Sequence, residues 1–381
     1  MKAFDRLLLR YGLIGLVLIA SFCKENQPTK ATFQTHHARN IVKYARLFSI
    51  VPHENYTLLT ILPPHGQPMC YALYPKDAPP AKLPDNCQPI PIPVQRVALY
   101  STTYVHAFEI LGCRQVIKAF AGTAYLYSDS LRAAVLRGQV VEIGSPNHLN
   151  AELLSQLHLD AVMIYLAAGE ENKLSLLQRI GLTPVINFDF MENTPLGRAE
   201  WLKVVGLLCG KMQQADSIFS QIEKNYLQLV DKVKNVKKKP TVFANIPYGS
   251  TWYMPGGDSF MGQLFKDAGA DYLWAEEKKS GSLPLSLEAV LAKAQQADFW
   301  INPGSMESIE MICHTDSRFR TLKAVQWGKV FNNNKRQRKE GGNDYWESGS
   351  VRADVVLADL IAIFHPEILP HRQLVYFNQL Q

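Results

Sequence analysis

Residues 195–240 read PLGRAEWLKVVGLLCGKMQQADSIFSQIEKNYLQLVDKVKNVKKKP, and this stretch decides the fold. After Pro195-Leu196-Gly197 a helical pattern begins, is interrupted near Gly210 and resumes at Met212. From there Ala215, Ile218, Phe219, Ile222, Tyr226, Leu229, Val230 and Val233 recur in the steps of one helix face. At about 1.5 Å per residue, the segment from Met212 to Val236 spans roughly 37 Å, a whole domain width and too long for a crossover inside one small sheet. It closes on Lys237-Lys238-Lys239-Pro240: cations suit a helix C-terminus, and Pro240 cannot continue the helix.

On both sides of this stretch, strands alternate with helices. Upstream, 97–100, 115–120, 140–143, 160–165 and 184–187 read as short buried strands, and the helices between them close on Gly112, Gly138 and Gly181. Downstream, strands over 241–246, 251–254, 299–302 and 329–332 are interleaved with helices over 259–268, 287–295, 305–313 and 350–363. Such alternation predicts βαβ units and parallel sheets covered on both faces. The fold class is therefore α/β: two Rossmann-like lobes, 93–194 and 240–381, joined by one long α-helix over 195–239. Residues 36–92 differ, with short β-like runs between Pro-rich turns, and predict a β-hairpin appendage.

The N-terminus predicts export. Lys2, Arg6 and Arg10 form a positive region, and YGLIGLVLIASF (11–22) is an uncharged apolar run of 12 residues. That is short for a membrane span and right for a signal segment. Ala20-Ser21-Phe22-Cys23 resembles a lipoprotein signal, although Phe22 departs from the usual small residue. The expectation is a leader over 1–22, lipidation at Cys23 and a polar tether over 23–35. Of the five other cysteines none forms a Cys-x-x-Cys pair, which argues against structural zinc. Cys70 and Cys87 flank a Pro-rich loop and are the plausible close pair; Cys113 and Cys209 read as buried small hydrophobes. Formal net charge is +6, of which the leader carries +2; this is too small and scattered to argue for nucleic acid. No Gly-x-Ser-x-Gly, Gly-x-Gly-x-x-Gly, phosphate-binding Gly-Lys-Ser/Thr or His-Glu-x-x-His motif is present, so an enzyme is not expected.

With this architecture in place, the chain resembles the helical-backbone class of periplasmic binding proteins, the solute-binding components of ABC importers for iron complexes and cobalamin. The resemblance covers roughly 96–369. It rests on RVALYSTT (96–103), on GSPN (144–147) ahead of Glu152 and Asp160, on PLGRAEW (195–201) opening the long helix, and on NDYWESG (343–349). It implies a ligand held between the lobes, in loops beyond the C-terminal ends of strands, where open parallel sheets bind ligands. The residues it points to are Thr103, Tyr104, Tyr125, Tyr127 and Asn147 in the first lobe, and Tyr248, Trp252, Tyr253, Arg336 and Tyr345 in the second. Their aromatic rings suit a large planar or chelate ligand. Arg198 and Glu200 are expected at the lobe junction. Glu152 and Glu288 match the acids that the family carries, one per lobe, for docking on its permease; the alternative is ordinary first-turn acids that favour the helix dipole.

The implied function is capture of a ferric-siderophore-type iron chelate for an inner-membrane permease and its ATPase, by a monomeric, membrane-anchored lipoprotein in the periplasm. Cobalamin or haem is the alternative, as is a surface lipoprotein serving an outer-membrane receptor. An anionic chelate would need cations in the cleft, and Lys335 and Arg336 are the candidates; for haem, Tyr104, Tyr125 or His106 could be ligands. Bare metal would need several convergent His, and only His106 and His148 fall near the cleft loops. No cofactor or resident metal is expected.

Overall fold

The computed structural model describes residues 39–381, apart from His65 and Ala168. The leader, Cys23 and the tether lie outside the described residues. In the first lobe, Val97–Leu99, Ile117–Phe120, Val141–Glu142, Ala161–Ile164 and Pro184–Ile186 form one sheet in the spatial order third, second, first, fourth, fifth. Every pairing is parallel. The first, fourth and fifth strands are buried at every residue, so both faces are covered, as the continuous apolar runs require. The winding reverses between the first strand and the fourth. At such a switch point the loops leave in opposite directions and open a crevice at the C-terminal edge.

The second lobe repeats the plan. Thr241–Ala244, Asp271–Tyr272, Phe299–Ile301 and Val330–Asn332 are parallel, in the order second, first, third, fourth, and Asn378–Gln379 adds an antiparallel edge. A two-stranded ribbon, Thr251–Pro255 with Ser282–Ser286, stands beside this sheet. A mixed α/β fold with parallel sheets in two lobes is thus what the alternation implied.

The linking stretch differs in detail from a single helix. It is three helical segments: Pro195–Glu200, Leu202–Leu208 and Met212–Val233. Thr194 caps the first, its hydroxyl accepting the Gly197 N–H at 3.1 Å, with Pro195 in the first turn. Gly210 ends the second at φ +64°, a left-handed value that glycine takes without cost. The chain then turns back on itself: a Cβ on Gly206 would stand 2.4 Å from the Ala215 Cβ, so the second and third segments cross with the Ala215 methyl against the Gly206 backbone. The third packs along Ala353–Phe364 of the second lobe, while the second packs on Val105–Ile110 of the first. The linking stretch therefore grips both lobes.

Residues 48–92 form four strands rather than a hairpin: Phe48–Pro52, Thr57–Ile61 and Met69–Pro75 run antiparallel, and Cys87–Ile92 returns parallel to the third. Cys70 and Cys87 are opposite one another in register and joined by a disulfide. The sheet is not a free appendage. Phe48 packs on Trp201 with ring centroids 4.7 Å apart. Two buried carboxylates hold the chain that leads into it. Glu200 accepts the backbone N–H groups of Lys43, Tyr44 and Ala45 at 2.9, 2.7 and 2.9 Å. Glu192 accepts those of Arg46 and Leu47 at 3.1 and 3.0 Å, and the Trp201 indole N–H at 3.1 Å. Glu200 thus serves this segment as well as the junction.

Candidate functional site

At the switch point of the first lobe a cavity of about 460 Å³ opens onto the surface. Its walls come from all five strand-end loops: Ser101, Thr102 and Thr103 after the first strand, Tyr125 after the second, Pro146 after the third, Tyr165 to Ala167 after the fourth, and Phe190 and Met191 after the fifth. Tyr100 and Ala121 complete it. Among the described residues, no Lys, Arg, His, Asp or Glu lines it. The polar groups are the three short hydroxyls and the tyrosine phenols. Tyr125, Phe190 and Met191 are 59, 47 and 40% exposed, a cluster of apolar side chains left open to solvent. Surface of that kind marks a binding site more often than chance exposure. Tyr165 stands edge-on to Phe190 at 6.0 Å and donates its hydroxyl to the Asn147 side chain at 3.1 Å.

Beneath the cavity lies a buried ion pair. Asp189 takes a hydrogen bond from Thr103 Oγ1 at 3.3 Å and faces Arg198 Nε at 3.4 Å. Burial pushes the Asp189 carboxyl up, and Arg198 opposes that shift. Arg198 also lies over Phe260 of the second lobe at 5.4 Å. It belongs to the junction, as expected, and is not a free cation facing ligand.

The residues singled out from the sequence fall into three groups. Thr103 and Tyr125 line the cavity, and Asn147 holds Tyr165 at its rim. Tyr248 and Tyr253 are exposed on the second-lobe ribbon, outside the cavity wall. The remainder do not line this cavity and are engaged within the protein. Tyr104 is buried, its hydroxyl 3.5 Å from the Asn187 carbonyl. Trp252 is a core residue that donates to the Ala244 carbonyl at 2.9 Å among Phe243, Trp300 and Phe319. Tyr345 is buried against Tyr376 and Phe377. Arg336 is paired with Asp344 at 2.9 Å and lies over the Tyr127 ring, so Tyr127 is engaged too. Lys335 donates to the Leu374 carbonyl. Neither cation lines the first-lobe cavity.

Glu152 and Glu288 are exposed in the first turns of Ala151–Gln156 and Leu287–Ala294. Glu288 pairs with Arg318 at 3.1 Å. His106 is half-buried with Nε2 unpartnered, and burial lowers its pKa; it does not line the cavity. Among the described residues no group of three or more His, Cys, Asp or Glu is arranged to hold a metal. Tyr165, Phe190 and Met191 were missed from the sequence. The apolar run 160–165 reads Tyr165 as the end of a strand, and Phe188-Asp189-Phe190 after the fifth strand carries the same aromatic signal as the other loops.

A model of the family described as periplasmic binding protein matches residues 97–336, both lobes and the link between them. The chain belongs to the periplasmic binding protein family. As a member of that family it is of a substrate-binding class. Two proteins of Methanocaldococcus jannaschii, each known as an uncharacterized lipoprotein, are similar to it. One is 26% identical over 78% of this chain and 71% of its own length; the other is 24% identical over 95% of both. Solved periplasmic binding proteins share the fold. The heme-binding protein RhuT of Roseiflexus sp. RS-1 has a TM-score of 0.56 at 17% identity, covering 72% of this chain and 99% of its own. Helicobacter pylori CeuE with Ni(II) bound gives 0.56 at 17%, covering 74 and 88%. The TroA-like FepB of Veillonella parvula gives 0.56 at 17%, covering 76 and 95%.

Proposed function

We propose that the chain is the solute-binding lipoprotein of an ABC importer, and that it captures a metal chelate with an apolar, planar face. A haem- or cobalamin-type macrocycle fits ahead of an anionic ferric siderophore. The observation that carries this reading is the first-lobe cavity: aromatic walls, hydroxyl groups and, among the described residues, no charged side chain in its lining. A flat apolar ligand gains area on Tyr125, Tyr165 and Phe190 at small entropic cost. A ferric tris-catecholate carries its charge around the whole complex and would bury it against no cation, at a desolvation cost that nothing in the wall offsets, whereas the two propionates of haem lie on one edge and can stay in the open mouth. The structural relatives that bind heme and Ni(II) support a metal-linked ligand without naming it. The lipoprotein relatives support an anchor at Cys23. Exposed acids on both lobes, Glu152 and Glu288, support docking on a two-subunit permease, where opposite charge speeds and orients encounter.

The test is a titration of the chain from Lys24 onward with haemin, cyanocobalamin and a ferric tris-catecholate, followed by Trp and Tyr fluorescence. Sub-micromolar quenching, about −8 kcal/mol or better, is expected for a macrocycle and not for the catecholate. Tight binding of the catecholate alone would reverse the order of ligand classes.

A further inference from the structure

The cavity wall is built wholly by the first lobe, yet one of its loops is held from the second. Residues 122–128 carry Tyr125. At their start, the Gly122 and Thr123 N–H groups donate to Glu142 of the same lobe at 3.0 and 2.8 Å. At their end, the Tyr127 and Ser128 N–H groups donate to Glu347 of the other lobe at 2.8 and 2.9 Å. Two guanidinium groups of the second lobe also approach the Tyr127 ring, Arg336 at 5.3 Å and Arg338 at 5.0 Å from its centroid. Arg336 Nε donates to the Tyr127 hydroxyl at 3.3 Å, and Arg338 Nε to the Tyr127 carbonyl at 2.8 Å. Arg338 also pairs with Asp129.

We propose that residues 336–347 of the second lobe are a latch that positions the Tyr125 wall of the first-lobe cavity, with Tyr127 as the clamped element. Three features separate a latch from incidental lobe contact. The strand-like turn that carries both arginines is itself braced: Arg338 N–H donates to the Gly342 carbonyl at 2.7 Å, and Asp344 N–H to the Arg336 carbonyl at 3.0 Å. The fit is backbone to backbone, since a Cβ on Gly342 would stand 2.4 Å from the Leu126 carbonyl oxygen and 3.0 Å from the Tyr127 nitrogen. Two cations share one ring, an arrangement whose attraction grows as water is excluded. Tyr125 and Tyr127 are separated only by the buried Leu126. A ligand that presses on Tyr125 therefore works against groups of the opposite lobe. The geometry of the cavity and the register of the lobes are one mechanical unit.

The inference concerns the cavity, and does not depend on which ligand fills it. The test is amide hydrogen exchange on the chain from Lys24 onward, without ligand, in wild type, Tyr127→Phe and the double variant Arg336→Ala/Arg338→Ala. Arg336 is the partner of the buried Asp344, so the double variant is expected to melt below wild type, and exchange is compared well below both melting temperatures. Amides across 123–128 are expected to exchange at least tenfold faster in the double variant, with the strand 161–164 unchanged. Tyr127→Phe keeps the ring and is expected to stay near wild type. Unchanged exchange over 123–128 in the double variant would overturn the latch. If that variant lost protection throughout, Gly342→Ala, which wedges the same seam, decides: local loss at 123–128 supports the latch, and none overturns it. No ligand is needed, so a failed latch and a failed ligand assignment are distinguishable.

Discussion

Trp252 and Tyr253 are neighbours in sequence and opposites in the structure. Side chains alternate across a strand, so within Thr251–Pro255 one ring enters the core and the next meets solvent. Aromatic content alone had grouped them. The role of Glu347 was not legible, although it lies within NDYWESG (343–349), because its partners Tyr127 and Ser128 lie some 220 residues away in sequence. Its environment sets a testable pH dependence. Burial first, with Glu109 and Asp344 adding to it, raises its pKa to about 8, against the two backbone donors that lower it. In the unfolded chain the same carboxyl ionises at about 4.3. Between those values the folded state holds a proton that the unfolded state has lost, so stability falls as pH rises through this window. Glu347→Gln cannot ionise. Relative to wild type, it is expected to gain on the order of 1–3 kcal/mol between pH 5 and pH 8.5, read from urea melts at both values. A constant difference would mean that Glu347 is already charged at pH 5.

At the scale of elements, period decided well and contact decided poorly. The 3.6-residue recurrence of Ala215, Phe219, Ile222, Tyr226 and Val233 did mark the buried face of Met212–Val233. The breaks at Glu200–Trp201 and Gly210 were only half visible, because a short helix end needs tertiary packing to fix it. The four-stranded sheet reads as a hairpin from sequence because its last pairing, Met69–Pro75 with Cys87–Ile92, is parallel and carries six prolines across the two strands and their link. Gly206 had no signal beyond being a glycine inside a helix. Its contact with Ala215 shows its use: the two helices approach where no side chain fits. Gly206→Ala is expected to destabilise by about 1–3 kcal/mol through overpacking, despite the better helix propensity of alanine. A melting temperature at or above wild type would show that the helices separate freely.

At the scale of the whole molecule, two parallel sheets, a linking helical stretch and loops that meet at the strand ends follow from the order of apolar runs and their stops. The position of the cavity follows too, because the winding of the first lobe reverses between Val97–Leu99 and Ala161–Ile164. Which side chains fill its wall did not follow, since that depends on a residue's place within a loop. Tyr165 and Phe190 are in the wall while Tyr104 and Tyr345 are packed away. The assignment of function rests on that wall. The most direct test is calorimetric titration of the best-bound macrocycle into wild type, Tyr125→Ala/Phe190→Ala and Tyr253→Ala. The account predicts at least tenfold weaker binding in the double variant and wild-type affinity in Tyr253→Ala. Full affinity in the double variant, or loss only in Tyr253→Ala, would place the ligand elsewhere and contradict the account.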